Sequence, residues 1–114
     1  MDNIKTSKFY LEKIIKDLNF IIEHTRNISF DDFVYDEILN NCICFKLIQI
    51  SENTSKLPKS FKDNYKNIPW VEITGLRNRI VHDYASVNLA IVYKTVIDDI
   101  NFLLNELNKI YICI

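Results

Sequence analysis

The sequence predicts an all-α fold: an antiparallel bundle of four main helices, with a short extra helix or ordered loop over about residues 58–66. Three observations carry this. The 114 residues include one Gly and two Pro, too few for the many turns of a sandwich or barrel. Apolar residues recur at steps of three and four over long stretches, the period of amphipathic helices. Hydrophobic residues make up 48% of the chain, enough to line a core. The length suits a single domain over residues 1–114.

The first helix is read from Ile4, Leu11, Ile14, Ile15, Leu18, Ile21 and Ile22, a stripe running through residues 4–25. Lys13, Lys16, Asp17 and Glu23 fall off the stripe. His24, near the C-terminal end, suits the negative pole of the helix dipole. The stretch "NISFDDF" breaks the pattern. Ser29 is a good N-cap, with Asp32 three residues on in a capping-box-like arrangement. A second stripe follows at Val34, Ile38, Cys42, Phe45 and Ile48 and runs to about Leu57, where Pro58 interrupts. Residues 58–68 are rich in lysine and asparagine, with Phe61 and Tyr65 four apart.

Pro69 suits a first helical turn, because the donor it lacks would be unpaired there anyway. A third helix is therefore expected from Pro69 through "RNRIVHDY" (residues 77–84). A fourth is expected from a Ser86 cap, with a stripe at Leu89, Val92, Val96, Ile100, Leu103, Leu107 and Ile110. The sequence shows no internal repeat or low-complexity segment.

The formal net charge is −1. A large nonspecific nucleic-acid binder is usually basic, so any RNA contact must be local. Cys42, Cys44 and Cys113 lack zinc-site spacing, and no histidine cluster completes one. They read as small buried residues in a reducing cytoplasm. The start of the chain lacks a basic segment followed by an apolar run. No apolar stretch approaches the roughly 20 residues of a membrane span. A cytoplasmic protein is expected, without membrane contact.

The densest chemistry lies at residues 77–84. On a continuous helix Leu76, Ile80 and Tyr84 fall within about 60° of Ile73 and form a core stripe. Val71, Gly75, Asn78 and His82 form an opposite face, which suggests a second neighbour. Gly75 costs a helix interior roughly 1 kcal/mol relative to Ala, so close approach of another backbone is expected there. A second copy of the chain would make this face an isologous dimer interface. Arg77 lies about 140° from His82 on an ideal helix. Either the helix loosens near His82, or the two groups combine across a dimer. Arg79, about 60° from His82, can join it directly.

These residue types match what RNA cleavage without a metal requires. A base takes the 2′-hydroxyl proton, an acid protonates the leaving 5′-oxygen, and a cation stabilises the phosphorane. Histidine suits the first two roles because it titrates near neutrality. The arginine fork matches phosphate oxygens. One chain offers one histidine in this motif, whereas a homodimer offers two. Asn78 can orient His82 or bind phosphate. Asp83 can pair with Arg79 at i,i+4. Tyr84 can pack on the core or bond a substrate phosphate. The bland alternative, a solvated polar helix end capped by His82, stays open on these residues alone. There is no glycine-rich phosphate loop and no nucleophile elbow. The pairs Asp31-Asp32 and Asp98-Asp99 diverge by about 100° on a helix, so no metal site or cofactor is expected.

Arg77, four intervening residues, His82, one residue and Tyr84 match the Arg-x4-His-x-Tyr motif of HEPN-domain ribonucleases. The flanking "IPWVEITGLRNRIVHDY" resembles the HepT-like toxins in particular. "LIQISENTSKL" (residues 47–57) resembles their second helix, with Ser51 where a glycine usually precedes the glutamate. The resemblance covers most of the chain and is tightest over residues 68–84. It implies a HEPN-like homodimer that cleaves RNA without a metal and acts as a toxin. The partner it implies is a nucleotidyltransferase antitoxin encoded alongside, which transfers AMP to Tyr84. It further implies that Arg77 and His82 are the catalytic pair, Asn78 a supporting polar residue and Tyr84 the regulatory one. By residue type and placement, Asn78, Arg79 and Tyr84 are the candidates for supporting RNA binding. A competing expectation is a non-catalytic helical module that docks a nucleotidyltransferase or binds nucleotide.

Overall fold

The computed structural model describes residues 3–83 and 86–114. The chain order is α1 (Asn3–His24), α2 (Phe30–Tyr35), α3 (Glu37–Ser55), α4 (Lys59–Asp63), α5 (Trp70–Thr74) and α6 (Leu76–Ile80). Strands β1 (Val81–Asp83) and β2 (Ser86–Val87) follow, then α7 (Leu89–Asp98) and α8 (Ile100–Cys113). The expected all-α bundle is present, and its four arms are α1, α2/α3, α5/α6 and α7/α8. The extra helix is α4. α1 packs along α3 and α8, while α5 and α6 lie on α3.

Local chemistry sets the boundaries. Asn27 has φ +56°, a left-handed conformation that asparagine tolerates better than most residues, and it turns the chain after α1. Ser29 caps α2 as expected, its Oγ accepting from the Asp32 N–H at 3.1 Å. The second arm breaks at Asp36, whose side chain accepts from the Leu39 N–H at 3.0 Å and starts α3. Buried Asn40 donates through Nδ2 to the carbonyls of Phe33 and Val34, satisfying the end of α2.

The core is lined by Leu11, Ile14, Leu18 and Ile21 of α1, Ile43, Leu47 and Ile50 of α3, Ile73, Leu76 and Ile80 of α5/α6, and Val92, Val96, Leu103 and Leu107 of α7/α8. The α1 and α7/α8 stripes match expectation, although Ile4 is exposed and Leu89 only half-buried. The second stripe does not. Ile38 is 86% exposed and Phe45 58%, and Val34 is also exposed. This arm carries two apolar rows, and periodicity alone does not say which faces inward. The inner row is Ile43, Leu47, Ile50 and Thr54.

Two other expectations are corrected. Asp17 is buried, held by Lys46 Nζ at 3.2 Å. Of the cysteines only Cys44 is buried; Cys42 is intermediate and Cys113 exposed.

Candidate active site

The third arm is not one helix. α5 ends at Thr74, and Gly75 carries ordinary right-handed angles (φ −81°, ψ −2°) at the junction with α6. A Cβ built on Gly75 would meet the Val71 carbonyl of its own preceding turn at 3.3 Å and the Glu72 carbonyl at 3.9 Å. Among the described residues, then, no other element crowds Gly75. Among the described residues of the chain, the close backbone approach expected there is not present.

α6 stops at Ile80. Val81 is extended (φ −99°, ψ 106°) and begins β1, which pairs antiparallel with β2 through Val81↔Val87 and Asp83↔Ser86. The Asn88 N–H donates to the Ile80 carbonyl at 2.8 Å and closes the hairpin onto the helix end. β-branched Val81 favours this extended backbone over another helical turn. The Asn88 side chain accepts from the Ile91 N–H at 3.2 Å, so Asn88 caps the fourth arm in place of the expected Ser86. That arm also divides, at Asp99, into α7 and α8.

The consequence for the motif is direct. Arg77, Asn78 and Arg79 lie on α6 with exposed side chains. His82 lies on β1, beyond the helix end. The 140° offset of a continuous helix therefore does not govern Arg77 and His82; the helix has loosened between them. Nor do Arg79 and Asp83 share a helix, so the helical i,i+4 spacing expected of them does not apply. Arg79 Nη2 instead donates to the Glu72 carbonyl at 3.1 Å. Tyr84 lies outside the described residues.

α6 separates two grooves. Arg79 lines one together with Glu72, Asp98, Asp99 and apolar residues of α3 and α8. Asn78 lines the other, with Gly75, Trp70 and the lysines of residues 59–66. The arm carrying these residues is fixed from beneath: Ser51 Oγ on α3 donates to the Thr74 carbonyl at 2.7 Å. Thr74 ends α5, where helix carbonyls run out of intrahelical donors. Ser51 is thus a packing residue.

A family model described as "Ribonuclease HepT-like" matches residues 14–110. The chain belongs to the HepT-like ribonuclease family. It is 36% identical over 107 residues to a protein of Caldanaerobacter subterraneus subsp. tengcongensis named as a candidate RNase, covering 94% of this chain and 96% of that one. It is 33% identical over 106 residues to a Thermococcus cleftensis protein named as a candidate ribonuclease HepT, covering 93% and 96% respectively. No solved structure matches at a significant level. Membership places this HepT-like chain among ribonucleases. Among its described residues no helix is long and apolar enough to cross a membrane.

The lysine-lined groove beside Asn78 was not singled out from the sequence. Its signal was present in the lysine- and asparagine-rich stretch 58–68. Only the folded chain shows that this stretch is held against the start of α5 and shares a groove with Asn78.

Proposed function

We propose that this HepT-like chain is a metal-independent RNA endonuclease, active as a homodimer in the cytoplasm and serving as the toxin of a toxin–antitoxin pair. The observation that carries the reading is the division of the motif between α6 and β1. It frees Arg77 and His82 from the angular separation of one helix. Family membership supports the ribonuclease class. Val71 is 81% exposed, and among the described residues no other element crowds Gly75, which supports a second copy on that face.

In the proposed reaction one neutral His82 imidazole takes the 2′-hydroxyl proton. The 2′-oxygen attacks phosphorus, and the protonated His82 of the second copy gives its proton to the departing 5′-oxygen. Arg77 neutralises the non-bridging oxygens as negative charge builds on the phosphorane. Asn78 and Arg79 hold flanking polar groups of the RNA. The products are a 2′,3′-cyclic phosphate and a free 5′-hydroxyl. AMP on Tyr84, supplied by a nucleotidyltransferase antitoxin, would place negative charge two residues from His82 and repel substrate phosphate.

The test is His82→Ala in full-length protein. Loss of RNA cleavage and of growth arrest, with fold and dimer unchanged, is expected. Cleavage that persists in this variant refutes the assignment. Unmodified wild-type protein that cuts no RNA yet binds the nucleotidyltransferase tightly would favour the binding-module reading. Co-expression with the neighbouring nucleotidyltransferase should add one AMP, and Tyr84→Phe should prevent it.

A further inference from the structure

Residues 56–66 carry an excess of positive charge. They hold Lys56, Lys59, Lys62 and Lys66 against a single acid, Asp63. Lys59 and Asp63 satisfy each other at 2.9 Å, and the hydrogen bond from Lys59 holds the Asp63 carboxyl below the usual carboxylate range. Among the described residues Lys62 and Lys66 enter no ion pair. Both line a groove of about 930 Å³, with Asn67, Trp70, Glu72, Gly75 and Asn78 along its course.

The groove is fixed to the motif arm through Trp70. Its indole Nε1–H donates to the carbonyls of Lys62 (3.1 Å) and Tyr65 (3.0 Å), and its ring lies 6.4 Å from that of Phe61. The lysine segment is thereby held against the start of α5. The Trp70 ring itself is only half-buried and forms part of the groove wall. Cations that follow a phosphate backbone, an aromatic face on which a base can stack, and an exposed amide are the components of a single-stranded nucleic-acid track. An acidic peptide would use the lysines but would leave the indole face and the Asn78 amide without a purpose. Of the two acids among the groove's described residues, Asp63 is paired with Lys59, and the Glu72 carboxylate is outnumbered by Lys62 and Lys66.

We propose that the groove between α4 and α5/α6 binds the single-stranded RNA flanking the scissile phosphate. Lys62 and Lys66 contact its phosphates, and Trp70 stacks on a base. The inference rests on the ribonuclease reading and adds a second, non-catalytic subsite to it. The α5/α6 wall includes Val71, Gly75 and Asn78, the face assigned above to a second copy; the α4 wall supplies the lysines.

The experiment measures binding, not cleavage. Full-length His82→Ala protein is titrated with a short fluorescent single-stranded RNA across a salt series. The variants are Lys62→Ala with Lys66→Ala, the same pair changed to Arg, and a remote pair of equal charge change, Lys13→Ala with Lys16→Ala on α1. The groove pair changed to Ala should weaken binding by about tenfold or more at low salt and make the log–log salt slope shallower by about 1.4, close to 0.7 per lost phosphate contact. The Arg pair should restore both, and the α1 pair should change neither. Equal losses from the groove and α1 pairs would reduce the effect to net charge and overturn the proposal. Unchanged RNA affinity, with or without lost capture of the nucleotidyltransferase, would also overturn it. A groove failure in protein whose wild type still cuts RNA leaves the ribonuclease reading standing. Wild type that neither cuts nor binds RNA ends both.

Discussion

The Ser51 hydroxyl on α3 and the Thr74 carbonyl at the end of α5 are joined by a 2.7 Å hydrogen bond across 23 residues of sequence. It ties a core helix to the arm that bears Arg77. Ser51 is buried but Thr74 is exposed, so removing the hydroxyl takes away a donor whose place water can partly fill.

Ser51→Ala should therefore cost about 0.5–1.5 kcal/mol, the net worth of one hydrogen bond, although it removes only one oxygen atom. Thermal or urea unfolding measures this directly. A stability equal to wild type would mean that the bond has no net worth or that the junction relaxes to replace it. Cleavage should fall less than stability, because Ser51 acts only through the position of the arm.

Arg77→Ala should lower kcat by about 10²–10³ if the guanidinium meets charge that develops only in the phosphorane. Arg77→Lys should recover part of this at most, since a point charge lacks the planar fork. A rise in KM alone, with kcat intact, would relegate Arg77 to ground-state binding. The same enzyme should show a bell-shaped dependence of kcat/KM on pH. Rate climbs as one His82 copy loses its proton and becomes the base, then declines as the other loses the proton it must donate. A profile with a single limb would contradict the two-histidine arrangement.

Much of this was legible in the sequence, and the exceptions share a cause. The α8 row of Leu103, Leu107 and Ile110 was readable because that helix has one strong apolar stripe. α3 has two, and the row Ile38–Phe45 was as regular as the true core row. Only packing against α1 and α5/α6 decides between them. The Ser29 cap was readable because it bonds three residues ahead. The end of α6 was not, because the Ile80 carbonyl takes its donor from Asn88, across a hairpin. Arg77, Asn78 and His82 could be picked out as a constellation by residue type alone. Their relative placement could not, since it depends on where α6 gives way to β1.

The cysteines should react in an order set by burial. Cys113 is exposed near the end of α8 and should alkylate first. Cys44 is buried, and desolvation pushes its thiol above the ordinary range, so less of the reactive thiolate is present at a given pH. Timed iodoacetamide labelling read by peptide mass spectrometry should show Cys44 modified only as fast as the fold opens. Labelling of Cys44 at the rate of Cys113 would contradict its place in the core.

Trp70→Phe separates the indole's two roles. Phenylalanine keeps an aromatic ring against Phe61 but loses the N–H that serves the carbonyls of Lys62 and Tyr65. A lost hydrogen bond of this kind costs about 0.5–1.5 kcal/mol, and here the loss should loosen the segment more than the bundle. Amides of residues 62–68 should exchange hydrogen faster while those of α1 and α8 keep wild-type protection. With the lysines no longer held against the start of α5, RNA affinity should fall even though every charge is retained. If exchange over 62–68 accelerates and affinity does not change, the lysines reach phosphate without a fixed platform, and Trp70 serves the fold alone.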